Sequence, residues 1–218
     1  MSFPRLLVAG VGNIFLGDDA FGPEVVVALR DHPLPAGVTV RDFGIRGLDL
    51  AYTLLDGWDA VVLVDAAPRG HRPGTLSVVD PEPPAAADTA PEAHGMDPVK
   101  VLALAARLTD GPLPRVVLLA CEPERLPDHD ADVVGGLSDP VRAAVAAAVP
   151  LLHTVVGRLL ADPAAPLVFG RAEESGAPPP AGPRGSAAPG AQDRGGARPA
   201  GSALDSPPLT FPPSKEHA

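Results

Sequence analysis

Apolar and polar residues alternate along the first 161 positions in a pattern of short strands and amphipathic helices. Arg5 to Val11 is a short apolar run closed by glycine, which predicts a buried strand. Pro23 to Arg30 predicts a helix with proline near its start, where the missing N–H matters little. Val38 to Phe43 alternates and predicts a second strand. Leu48 to Leu55 predicts a helix stopped by Asp56-Gly57. Ala60 to Val64 is purely aliphatic, as a central strand covered on both faces must be. Thr75 to Val79 follows a Pro-Gly turn and predicts a short strand. Asp97 to Leu108 predicts a helix with Asp97 as N-cap and Pro98 at the first helical position. Arg115 to Ala120 is another aliphatic strand. Ser138 to about Leu160 predicts a long helix capped by Ser138, with Pro150 placed to kink or divide it. Strands that alternate with helices imply an α/β fold. The expected form is a three-layer sandwich, a mostly parallel twisted sheet of about five strands with helices on both faces.

Beyond this domain the pattern stops. From Gly170 onward there are ten prolines and eight glycines in 49 residues, and the aliphatic residues larger than alanine reduce to Leu204 and Leu209. Such a segment buries too little apolar surface to offset its ordering entropy. The division expected is an α/β domain over 1–164 and a disordered Pro/Gly/Ala-rich tail over 165–218. The 218-residue chain has a formal charge of -10, and 12 basic against 21 acidic residues up to position 161 place nearly all of it in the folded part. No nucleic-acid partner is expected of so acidic a domain. One cysteine excludes an intramolecular disulfide framework and points to a reducing, cytoplasmic setting. The N-terminus lacks the pattern of a signal peptide. The apolar stretch around 141–160 is interrupted by Pro150, His153 and Arg158, so no membrane insertion is expected. A monomer is the expected state.

In open parallel sheets ligands bind beyond the carboxyl ends of the strands. Asn13, Asp18 and Asp19 follow the first strand there, and Asp65 ends the third. If the 75–79 strand follows its predecessor by a tight turn, it runs antiparallel, and the loop 80–96 must climb back across the sheet. That brings His94 to the same edge. Two carboxylates and an imidazole suit a borderline divalent cation. Each residue also has a plainer reading: Asp18 or Asp19 as a helix cap, Asp65 as an acceptor for loop N–H groups, His94 as an ordinary loop histidine. Their convergence favours a site. GVGNIF starts like a dinucleotide fingerprint, but Phe15 stands at its third glycine. Walker, H-E-x-x-H and G-x-S-x-G patterns are missing. Cys121 reads as a buried structural thiol more readily than as a nucleophile.

The segment GVGNIFLGDDAFG, with Gly10, Gly12, Asn13, Asp18, Asp19 and Gly22, resembles the motif G-x-G-N-x-x-x-x-D-[DE]-x-x-G of the hydrogenase maturation endopeptidase family. The resemblance runs over about residues 4–160. It continues through DFGIRGLDLAYTLL, VVLVDAAPRG, His94-Gly95 and ACEPE followed by GLSDPV. It implies a protease that removes a C-terminal extension from the precursor of a nickel–iron hydrogenase large subunit after nickel insertion. It also implies that Asp19, Asp65 and His94 are the metal-interacting and catalytic positions. Nickel is then supplied by the nickel-loaded precursor, which is the partner, and no resident cofactor is expected; a resident zinc that activates water is the alternative mechanism. Asp18 or a site carboxylate is left to activate water. Around Asp42 the family's D-G-G-T is replaced by DFGI, which bears on substrate choice. Two other classes stay open: a nucleotide-binding α/β protein, and a non-catalytic metal-sensing partner of a hydrogenase.

Overall fold

The computed structural model describes residues 4–81, 98–126 and 133–167. The expectations for His94, for Asp97 as a cap and for nearly all of the 165–218 tail lie outside the described residues. Five strands, β1 (Leu6–Val11), β2 (Val38–Gly44), β3 (Ala60–Ala66), β4 (Leu76–Val79) and β5 (Arg115–Cys121), form one sheet in the order β2-β1-β3-β5-β4. The first three and β5 are mutually parallel, and β4 runs antiparallel along the outer edge of β5. The helices are α1 (Phe21–Ala28), α2 (Gly47–Thr53), α3 (Pro98–Leu108) and α4 (Asp139–Ala161), and a 3-10 turn over Gly17–Ala20 leads into α1.

Strand alternation sorts the core into two halves. Leu6, Val8, Val62, Val64, Val117 and Leu119 pack with Phe21 and Val25 of α1 and with Leu152 and Val156 of α4. Leu7, Ala9, Val61, Leu63 and Val116 face α2 and α3, where Leu50, Leu54, Val101 and Ala105 meet them. The three layers follow directly from the two-residue period of β1, β3 and β5. By length and composition α4 is apolar enough to cross a bilayer. Eight of its side chains, from Val141 to Leu159, are instead buried in the domain, so it is a core helix. It runs through Pro150 unbroken, and the Thr154 hydroxyl donates to the Pro150 carbonyl at 3.0 Å. Arg115 donates to the carbonyls of Pro163 and Ala165, and Leu167 packs on the core, so the chain stays attached to the domain to that point.

Two glycines fix where α1 meets the sheet. A Cβ on Gly22 would lie 2.2 Å from the Val11 carbonyl oxygen and 2.3 Å from that of Val64. The first turn of α1 is thus wedged against the carboxyl ends of β1 and β3. Gly12 has φ +130°, and a Cβ there would fall 1.8 Å from the Asp19 carbonyl oxygen. Backbone atoms cannot rotate aside as side chains do, so the space exists only for glycine. We predict that Gly22→Ala lowers stability by at least about 2 kcal/mol, toward the upper end of overpacking penalties. Chemical denaturation with an unchanged m-value checks it; a loss under half of that would show that the wedge relaxes easily.

Candidate active site

The turn after β1 is built by local hydrogen bonds. The Gly12 N–H donates to the Gly44 carbonyl at 3.1 Å, tying the turn to β2. The Asn13 side-chain oxygen accepts from the Phe15 N–H at 3.0 Å, and the Leu16 N–H returns to the Asn13 carbonyl. The Asn13 N–H donates to Asp19 Oδ2 at 2.7 Å. Asp19 therefore has its carboxylate oriented by the turn and its carbonyl pressed over Gly12. The turn closes on its own chain where a dinucleotide fingerprint would open toward a phosphate, which removes the main attraction of a nucleotide-binding reading.

Asp65 is buried near the end of β3, beside Ala120 of β5. Gly10 is registered with Val64, so Asp65 lies one step past the end of the β1–β3 pairing. The 3-10 turn that carries Asp19 packs against β3, and Gly22 touches both strand ends. Asp19 and Asp65 thus share one corner of the carboxyl edge. Among the described residues no group of three metal-ligating side chains is found; His94 lies outside them.

Asp18 has a different task from its neighbour. It is 1% exposed. Its Oδ2 accepts from the N–H groups of Glu124 and Arg125 and from the Ser138 hydroxyl at 2.8–2.9 Å, and its Oδ1 from the Ser138 N–H at 2.6 Å. Burial alone would raise its pKa; the four donors outweigh that and hold the carboxyl below its ordinary 3.8. Asp18 is therefore neither a cap for α1 nor a free base for water. Ser138, expected to cap α4 with its own side chain, makes no capping bond and gives its hydroxyl to Asp18 instead.

Glu122 repeats the device one loop away and was not singled out by sequence reasoning. Its buried carboxylate accepts from the N–H groups of Arg69 at 2.7 Å and Gly70 at 3.3 Å. Burial again works to raise its pKa, and these bonds together with the His71 N–H lower it. The loop after Asp65 is held by this carboxylate and by the Gly74 N–H to the Glu122 carbonyl. The available signals were its place in the segment ACEPE and an acidic residue directly after a largely aliphatic strand. Cys121 is fully buried, and burial, then the charges of Asp18 and Glu122, push its thiol up to about 12. At neutral pH it stays protonated and is no nucleophile.

A group with a depressed folded pKa adds stability above its unfolded pKa and loses it as pH falls through the folded value. We expect Asp18→Asn to reduce stability at pH 7 by on the order of 3 kcal/mol, the scale of charged hydrogen bonds lost in a buried site. The gap to wild type should close progressively as pH drops below about 4, where the carboxyl of the unfolded wild-type chain takes up a proton, and on through the lower folded value. Urea melts of both proteins from pH 7 to pH 2.5 check this. A gap that stays constant over that range would mean that the charge is not what holds the loops.

Comparison with known proteins agrees with this architecture. A sequence model of the family described as hydrogenase maturation protease matches residues 23–154, a span that contains Asp65 and His94 and begins just after Asp19. The hydrogenase expression/formation protein HoxM of Azotobacter vinelandii is 34% identical over 147 residues, 66% of this chain and 68% of that protein. HupD of Rhizobium leguminosarum bv. viciae is 33% identical over 149 residues, 67% of this chain and 71% of that protein. Among solved structures, the hydrogenase maturating endopeptidase HybD of Escherichia coli superposes with a TM-score of 0.54 at 29% identity, over 71% of this chain and 93% of that one. A hydrogenase 2 maturation peptidase from a Thaumarchaeota archaeon gives 0.52 at 35% identity, over 70% of this chain and 98% of that one. With its sheet order, its motif turn and these relatives in agreement, the chain belongs to the hydrogenase maturation protease family and is a peptidase.

Proposed function

We propose that this peptidase removes the C-terminal extension of a nickel–iron hydrogenase large-subunit precursor in the cytoplasm once nickel has been inserted, and that it reads the nickel directly. The observation that carries the proposal is the shared corner of Asp19 and Asp65. What supports it is that the 3-10 turn carrying Asp19 packs against β3, which ends in Asp65 and Ala66, with Gly12 and Gly22 allowing the close approach of their backbones. His94, just ahead of α3 in the chain, is assigned as the third donor. Oxygen and imidazole donors suit nickel and related divalent ions. The metal belongs to the substrate: the protein supplies half of a coordination shell, and the precursor brings the other half with the ion. Binding energy from completing that shell is available only when nickel is present, so metallation and cleavage are coupled through differential affinity.

The hydrolysis adds water across one amide bond. The hydroxyl goes to the carbonyl carbon, the C–N bond breaks, and the proton goes to the departing amine. Asp18 has its oxygens committed to four donors and its pKa lowered, so water activation falls to a carboxylate of the site, Asp19 or Asp65. Cys121 is silent, which leaves no covalent route through a thiol.

Asp65→Asn retains shape and removes charge. We expect it to abolish processing of nickel-loaded precursor, by at least about 100-fold, the scale of losing one acid–base group, with the thermal midpoint kept. Nickel-free precursor should resist wild type. Processing is read as a mobility shift on a denaturing gel. Normal cutting by the variant, or equal cutting of the metal-free precursor, would contradict the assignment.

A further inference from the structure

We propose that the exposed apolar surface formed by Ile14, Phe15 and Val133, at the lip of the site, is a docking surface for an extended apolar segment of the protein substrate. The inference rests on the function proposed above and adds where the substrate lies. Leu16 and Val134 form a parallel bridge that joins the loop after β1 to the loop after β5. The Val134 N–H donates to the Phe15 carbonyl at 2.9 Å, and the Gly17 N–H to the Val134 carbonyl at 2.7 Å. Side chains alternate across such a ladder. Leu16 turns inward and is 4% exposed, while Phe15 and Val133, each preceding a bridged residue, are 58% and 73% exposed. Ile14 beside them is 54% exposed.

Phe15 and Val133, which flank the single bridge, and Ile14, the next residue in the turn, are three large exposed apolar groups close in the chain and across the bridge; isolated exposed apolar residues are ordinary but a cluster is not. The platform is stiff: Asn13 holds the Phe15 N–H, and Asp18 anchors the chain on both sides of the bridge. Stiff apolar anchors lose little freedom on binding. The patch is continuous with the site, because Asn13, next to Ile14, donates its N–H to Asp19. A protein substrate cut at that corner must cover this lip. Gly12 to Gly17 carries no charge in a chain of net charge -10, so the segment that meets Ile14 and Phe15 is apolar.

The test is steady-state cleavage of nickel-loaded precursor by wild type, by Phe15→Ser/Val133→Ser, and by Tyr52→Ser/Val99→Ser, a control at exposed apolar residues elsewhere. The first variant should raise the precursor KM at least about tenfold, as loss of an interface anchor does, with kcat within about twofold. The control should match wild type. Val133→Thr, nearly isosteric on a mostly exposed side chain, should fold in any case and raise KM about threefold. Wild type that cuts normally while these variants keep its KM would overturn the docking surface alone. Wild type that fails to cut would overturn the reading of the site, and the docking with it. An equal KM rise in the control, or a wild-type dimer that the first variant converts to monomer, would overturn the assignment in favour of general surface effects or a second copy of the chain.

Discussion

A single buried carboxylate organises the working end of this molecule. Asp18 takes its charge into the domain, which is unfavourable unless donors replace the lost water. The donors come from Glu124, Arg125 and Ser138, more than one hundred positions away in the chain. The turn after β1, the loop after β5 and the start of α4 therefore cannot move independently. Asp19, the next residue, inherits that rigidity, and the carbonyl it presses over Gly12 removes the remaining freedom.

Four carboxylates around the carboxyl edge of the sheet fall into two pairs. Asp18 and Glu122 face inward, with pKa values lowered by backbone donors, and each fixes one loop beyond the sheet. Asp19, on the 3-10 turn beside Asp18, and Asp65, buried near the end of β3, lie at the same edge of the sheet. The half-complete coordination shell proposed above would need carboxylates held in this way. Carboxylates free to drift would collapse onto local N–H groups or onto each other's counter-ions, and would lose the preorganisation that makes metal contact selective. Burial, and then the same inward charges, keep the Cys121 thiol protonated, so the one thiol of the chain takes no part as a nucleophile.

Much of this was legible along the chain, for identifiable reasons. Residues 60–64 and 116–120 are aliphatic because both faces of a central strand are covered, and such runs announce themselves. β4 runs antiparallel as expected, but not through a tight turn: nine residues separate it from β3, and its partner is β5. Asp19 and Asp65 were placed at one edge by strand order alone. Asp18 was harder. Its partners are mostly backbone N–H groups, which have no sequence signature, so its plainest expected role was a local cap. Ser138 misled for the same reason: it sits at the position of a cap, yet tertiary structure offered its hydroxyl a buried carboxylate. Pro150 was expected to disturb α4, and packing of the surrounding apolar face carries the helix through it. Helix α1 begins at Phe21, earlier than Pro23 suggests, because the 3-10 turn feeds directly into it.

The central claim is that side chains of this protein enter the coordination shell of a nickel ion held by the precursor. X-ray absorption at the nickel edge tests it most directly, on nickel-loaded precursor alone and mixed with Asp65→Asn or wild-type protein under conditions too cold for turnover. The account predicts added oxygen or nitrogen ligands on mixing with wild type and fewer with the variant. A nickel spectrum unchanged by wild-type protein that goes on to cleave the same sample on warming would contradict it.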